Sequence, residues 1–302
     1  MTFLSHIVRI NYKHFIKKEL IPIPSIDLHM HSVYSDGTYT PAELVAYAKQ
    51  KSLSAISLTD HDTIDGLNEA RQHAAQSEIR FINGIEINSF YILNNKRINI
   101  HVLGYLFAPE KLYPYTTMLK ELRYEHNESI RKALHTIGIE IDYADIKLQS
   151  TQNTITRLNF AKALVQKGHA ENVADALTKY FHKGGSAYVE YNTHPFSTVA
   201  QMIHDADGIV SLAHPAEYKL SDTDTETLIQ AFIRDGLDAV ECIHPSQDTA
   251  YAQKLIHIAD KNNLLRTGGS DFHDKHENGI DLGLGGDGMV IPESFLQKLH
   301  VK

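Results

Sequence analysis

A single cysteine, Cys242, occurs in the 302 residues, so no disulfide can close within the chain. That scarcity suits a reducing compartment, and a cytoplasmic location is expected. Long apolar runs are also missing. No stretch approaches the roughly 20 consecutive apolar residues that span a bilayer, so no membrane span is expected. The opening MTFLSHIVRINYKHFIKKEL mixes apolar and basic residues, without the apolar segment or cleavage site of a signal peptide. Residues 1–24 read as a short amphipathic N-terminal extension. Basic charge is in deficit: 29 Lys and Arg stand against 37 Asp and Glu, a formal net charge of −8. Broad nucleic-acid binding relies on basic surface, so this balance speaks against long polymers. It leaves room for a small phosphorylated ligand, or a strand end, held by a few arginines and metals. Repeats and low-complexity tracts are absent, and nothing indicates the oligomeric state.

What is present is a globular composition, 42% hydrophobic and 22% charged, with 19 histidines. Short β-rich runs alternate with helical patterns. SIDLHMH reads as a strand and TPAELVAYAKQK as a helix, with Thr40 as cap, Pro41 at its first position and Glu43 closing a capping box. SAISLTDHD is a strand and TIDGLNEARQHAAQ a helix. RFINGIEINSFY and RINIHVLGYLF are strands joined by the turn ILNNK. From 109 to 185 the reading is helical, without alternation. Strand–helix units then resume, ending in GIVSLAHP, LDAVECIHP and LLRTGGSDFH, with SFLQKLH as a closing helix. The pattern predicts an α/β chain: a parallel sheet or barrel from 25–108 and 186–302, interrupted by a helical insertion subdomain at 109–185.

Polar residues gather where the predicted strands end. The first gives His29 and His31, with Asp36 in the loop; the second gives Asp60, His61 and Asp62. Glu86 and His101 follow on the third and fourth. After the insertion come His214, then Asp271 and His273. Parallel barrels build active sites from strand carboxyl ends, so these distant residues are expected to converge. A lone histidine in an apolar strand, as at His101, is more often a packed core residue; the joint placement of the six histidines with three of the carboxylates, Asp36, Glu86 and Asp271, argues for nine ligands. Imidazoles with hard carboxylates suit manganese, iron or zinc. Nine groups are too many for one ion. Glu86 can bridge, so two or three divalent ions are expected, which would clamp a phosphoryl group and activate a water. The remaining histidines, including His73, His126 and His257, read as packed or solvated.

DLHMHSVYSDG, LTDHDT, GIEIN, HVLGY, LAHP and GSDFH occur in this order. Together they resemble the motifs of the PHP (polymerase and histidinol phosphatase) metal-dependent phosphoesterase family, from about Ser25 to Gly285. The resemblance implies a distorted seven-stranded (β/α) PHP barrel with a trinuclear centre, manganese first among the candidate ions. It groups His29, His31, Glu86 and Asp271 on one ion, Glu86, His101 and His214 on a second, and Asp36, His61 and His273 on a third. None of the nine departs from the family pattern. Asp27, Asp60 and Asp62 read as structural or orienting carboxylates.

The insertion, with TRLNFAKALV and KGGSAYVEY, is similar to the branch of nucleoside 3′,5′-bisphosphate phosphatases and a related 5′–3′ exoribonuclease. Arg157 matches an arginine that this branch uses on the non-scissile phosphate. Its relatives often read Arg-Pro-His-Phe where this chain has Arg157-Leu158-Asn159-Phe160, so Asn159 is expected to donate to phosphate instead. Arg123 lies in LRYEHN, where relatives carry more arginines and His126 can replace one. Ser35 is placed with these substrate-binding residues. The implied activity is hydrolysis of a phosphomonoester of a small nucleotide, a nucleoside 3′,5′-bisphosphate or an AMP-like molecule, by a hydroxide shared between two ions. The alternatives are a 5′–3′ exonuclease or phosphodiesterase on short RNA or DNA ends, and a regulatory domain that binds a nucleotide without turnover.

Overall fold

A computed structural model describes residues 24–147, 155–275, 279–297 and 299. The expected N-terminal extension thus lies outside the described residues, apart from Pro24. Eight strands form one sheet: β1 (Ser25–Asp27), β2 (Leu53–Leu58), β3 (Arg80–Leu93), β4 (Lys96–Tyr105), β5 (His194–Pro195), β6 (Ile209–Leu212), β7 (Ala239–Ile243) and β8 (Leu265–Gly268). Their order is β1-β2-β3-β4-β6-β7-β8, with β5 against the outer part of β3. The two ends of this path meet. Leu28 N donates to Gly268 O at 3.1 Å, Asp271 N to His29 O at 2.8 Å and His31 N to Phe272 O at 2.9 Å. The sheet therefore closes into a distorted seven-stranded barrel, with β5 outside the ring.

One strand breaks the parallel rule. β4 runs antiparallel to both neighbours, β3 and β6. The cause is local: β3 and β4 are joined by Asn94 and Asn95 alone, with φ of 50° and 60°. A two-residue turn with both φ positive suits the twist of a hairpin and leaves no room for a crossover helix. Ile92 and Leu93, expected in the turn, remain in β3.

Helices cover the barrel. In Pro41–Gln50, Glu43 N donates to Thr40 Oγ1 at 3.2 Å and Thr40 N donates to Glu43 Oε2 at 2.8 Å, the expected capping box. Its buried Leu44, Val45 and Ala48 share one face. The 28-residue helix Pro109–Thr136 links two apolar cores. Leu112 and Leu119 pack into the barrel core. Ile130 and Leu134 belong to a separate cluster with Ile146, Phe160, Leu164 and Phe181. Burying each such side chain is worth about 1.5–3 kcal/mol, so the insertion has an apolar centre of its own.

Candidate metal centre

The centre is assembled around Glu86, 1% exposed and midway along β3. Its Oε1 lies 2.8 Å from His101 Nδ1 and 3.0 Å from His214 Nε2. Its Oε2 lies 3.2 Å from both His29 Nε2 and His31 Nε2, and 3.1 Å from His61 Nδ1. Asp271 Oδ1 faces the same two imidazoles, at 3.2 Å from His29 and 3.0 Å from His31. Asp36 sits on the far side of His31. Its Oδ1 is 3.2 Å from His273 Nε2, and its Oδ2 is 3.8 Å from His61 Nε2. All nine residues singled out in the sequence thus come together.

His101 arrives by a different route from the one expected. It lies in the middle of β4, not at a carboxyl end, because β4 runs backwards and sets its middle beside Glu86. Two residues of the cluster have left-handed backbones, Asp271 at φ 50° and His214 at φ 23°. Such conformations cost non-glycine residues energy and cluster at functional sites. Gly269 is required beside them. A Cβ there would lie 2.1 Å from the His29 Cβ. Gly37 has the same kind of reason: a Cβ there would meet His31 O at 2.2 Å.

The donor set fits divalent cations. Buried atoms His29 Nε2, His31 Nε2, His61 Nδ1, Asp36 Oδ1, Glu86 Oε2 and Asp271 Oδ1 have no hydrogen-bond partner among the described residues. Leaving one such atom unsatisfied costs about 1–3 kcal/mol, and cations shared among them remove that cost. Ligand atoms of His29, His31, Glu86 and Asp271 lie within 4.8 Å of one another, as do those of His31, Asp36, His61 and His273, and those of His61, Glu86 and His101. Electrostatics agree. Burial resists ionisation of Glu86, but His61, His101 and His29 hold its carboxyl well below the usual range. Asp271 is held low in the same way, against burial, by His29 and His273. Burial opposes charge on His273, yet Asp36 and Asp271 push it up to about 10. Burial, with His31 and His101, takes His61 down to about 4. Without a cation, protons on imidazoles must balance the carboxylates.

Three further carboxylates hold the loops of this cluster. Asp27 accepts from His29 N at 3.1 Å, Ser270 N at 3.0 Å and Gly283 N at 2.8 Å. Asp60 accepts from Ser32 N at 2.7 Å and Ser35 Oγ at 2.6 Å. Asp62 accepts from Asn88 N and Nδ2, both at 3.0 Å, and pairs with Arg123. Two residues escaped the sequence reading. Glu241, buried in β7, takes His29 Nδ1 at 3.0 Å on one oxygen and the His214 N–H at 2.7 Å on the other. His244, read as packed or solvated, stands 3.3 Å from Asp271 Oδ2. The signal for Glu241 is an acid inside the apolar run DAVECI, since a buried charge is costly unless paired.

A cavity of about 270 Å³ opens on the centre. Asp36, His61 and His101 form one wall; Arg123, His126, Arg157 and His182, all from the insertion, form the other. Arg157, at the start of the helix Arg157–Gln166, makes no ion pair or side-chain hydrogen bond among the described residues. Burial and nearby Arg123 lower its pKa. His126 Nδ1 is buried without a hydrogen-bond partner among the described residues, and burial, Arg157 and Arg123 take this imidazole down to about 4. Arg123 is divided: its Nη2 pairs with Asp62, while its buried Nε has no hydrogen-bond partner among the described residues. Two expected substrate contacts have other tasks. Asn159 is buried, its Oδ1 accepting from Thr156 N at 2.8 Å to cap the helix, and Ser35 is turned onto Asp60. Neither lines the cavity.

The PHP domain family profile matches residues 27–194. A 5′-3′ exoribonuclease of Haemophilus influenzae is 34% identical over 82% of this chain and 89% of its own length. A 3′,5′-nucleoside bisphosphate phosphatase of Chromobacterium violaceum is 31% identical over 86% of this chain and 90% of its own. A solved structure from Bifidobacterium adolescentis, described as a metal-dependent phosphoesterase, superposes with a TM-score of 0.78 at 27% identity, covering 92% of this chain and 96% of its own.

Proposed function

The chain belongs to the PHP family of metal-dependent phosphoesterases, and on that premise we propose that it hydrolyses one phosphate of a nucleoside 3′,5′-bisphosphate. One observation carries the reading: a carboxylate–imidazole centre and Arg157, unpaired among the described residues, face each other across a single cavity. Our reading makes His29, His31, Asp36, His61, Glu86, His101, His214, Asp271 and His273 the ligands of two or three divalent ions, manganese being our choice. Bound there, the ions supply an activated water and neutralise charge on the phosphoryl oxygens.

The chain's own residues do the rest. Glu86 offers one oxygen to the His101 and His214 side and the other to His29, His31 and His61, so it fixes the spacing of the ions. Arg157 takes the non-scissile phosphate with its planar fork. The free Nε of Arg123 and the imidazole of His126 supply two more donors. Asp62 and the Tyr191 ring hold Arg123 in place. No side-chain nucleophile is required. Cys242 is buried, with its thiol pushed up by burial.

Removal of nucleotides from the 5′ end of RNA is the second reading, supported by the name of the Haemophilus influenzae relative. Assay of the manganese-loaded protein on adenosine 3′,5′-bisphosphate beside a 5′-phosphorylated trinucleotide separates the two. Our reading expects phosphate and a mononucleotide from the first, with the second cleaved more slowly. Preferential cleavage of the trinucleotide would favour the nuclease.

A further inference from the structure

His244 is the first residue after β7, and its side chain is 3% exposed. Its ligand-capable atoms lie near those of His29 and Glu241, and near those of Glu217 and Asp271, so by proximity alone it could join a metal. Its hydrogen bonds decide otherwise. Ser246 N lies 3.1 Å from His244 Nδ1. A backbone N–H can only donate, so Nδ1 must accept; Ser246 Oγ, 2.8 Å from the same atom, then donates to it as well, and a neutral ring carries its proton on Nε2. That Nε2 points at Asp271 Oδ2, 3.3 Å away. The other carboxylate oxygen, Oδ1, faces His29 and His31. The backbone cannot easily change this arrangement, because His244 O accepts from Gln247 N at 3.0 Å and Gly286 N at 3.1 Å.

We propose that His244 is a positioning residue and not a ligand: its Nε2–H, fixed by the Ser246 N–H, engages Oδ2 of Asp271 and leaves only Oδ1 for the metal. The inference rests on the metal reading given above. It places the residue that directly follows β7 behind the centre, beside Glu241, which orients His29. Outer partners of this kind set ligand direction and basicity, and their loss costs about 10- to 100-fold in metal affinity.

The test uses the full chain and Mn²⁺ alone as probe. Calorimetric titration of chelator-stripped protein is compared for wild type, His244→Gln and His244→Leu. Gln can place an N–H near the position of Nε2; Leu cannot. The expected result is affinity within a few-fold of wild type for His244→Gln, and about 10- to 100-fold weaker binding of one ion for His244→Leu, with unchanged stoichiometry. Equal binding by all three would overturn the proposal. Loss of one whole ion in both variants would overturn it too, by making His244 a ligand. A wild type that binds no Mn²⁺ would remove the metal reading, and the proposal with it. Should His244→Leu fail to fold, long-range ¹⁵N correlation spectra of the wild type, with the His244 signal assigned from His244→Gln, still decide. A proton on Nε2 is expected, and a proton on Nδ1 would overturn the assignment.

Discussion

His101 Nδ1 lies 2.8 Å from Glu86 Oε1, across two strands that run in opposite directions. In the hairpin register Glu86 faces Leu103 and His101 faces Asn88, so the contact is diagonal. Diagonal neighbours are within reach only of long side chains, and Glu with His meets that need. The Asn94–Asn95 turn is therefore a determinant of the centre, although neither asparagine approaches it.

Glu86→Gln keeps the size of the side chain, removes its charge and turns one oxygen into a donor aimed at imidazole nitrogens. Bound Mn²⁺ and phosphate release should fall together, activity by more than about 100-fold, beyond the cost of losing a group that only orients a ligand. Metal analysis and phosphate assay on one preparation check this. Retention of either would remove Glu86 from its shared role.

Arg157→Ala should act on one substrate and spare another. Hydrogen bonds to charged groups are worth about 1.5–3 kcal/mol, so KM for adenosine 3′,5′-bisphosphate should rise about 10- to 100-fold. Hydrolysis of adenosine 5′-monophosphate should change by no more than about 3-fold, and Arg157→Lys should fall between. Equal losses on both substrates would place Arg157 outside the second phosphate's site.

Arg123 and Asp62 form a buried pair between the insertion and the barrel, with side chains 13% and 2% exposed. Arg123→Met leaves Asp62 buried with only its bonds to Asn88 and Tyr191. Breaking one partner of such a pair costs about 3–5 kcal/mol. Urea unfolding should show that loss, and adding Asp62→Asn should recover part of it. A change under about 0.5 kcal/mol would mean the pair is not structural.

His273 is pushed up to about 10 when no cation is bound, against burial, by Asp36 and Asp271. The ordinary value is about 6.5. The raised value stabilises chelator-treated protein fully below about pH 6.5, and that stabilisation is lost as pH climbs through 10. Tm in EDTA should therefore fall between about pH 7 and pH 10, and His273→Asn should fall less steeply. Mn²⁺ affinity should run the other way, rising with pH, because the ion displaces the proton. Equal slopes for wild type and variant in EDTA would contradict the assignment.

Much of this was legible in the sequence because the barrel places strand ends at one rim. His29 and His31 share a face by the period-two rule, and the hairpin announced itself in its asparagines. Glu241 was hidden because an apolar run of four to eight residues reads as a buried strand, and its one acid drew no attention. His182 carries no local signal, since only the docking of the insertion brings it to the cavity. Asn159 misled for a physical reason. Its amide suits a phosphate, but three residues after Thr156 it equally suits a helix cap, and the buried cap is what forms.

The most direct test measures phosphate released from adenosine 3′,5′-bisphosphate against the number of Mn²⁺ ions bound per chain, starting from stripped protein. The expected result is no release at the start and a maximum once two or three ions are bound, as a shared centre requires. Full release from stripped protein, or a maximum at a single ion, would contradict the account.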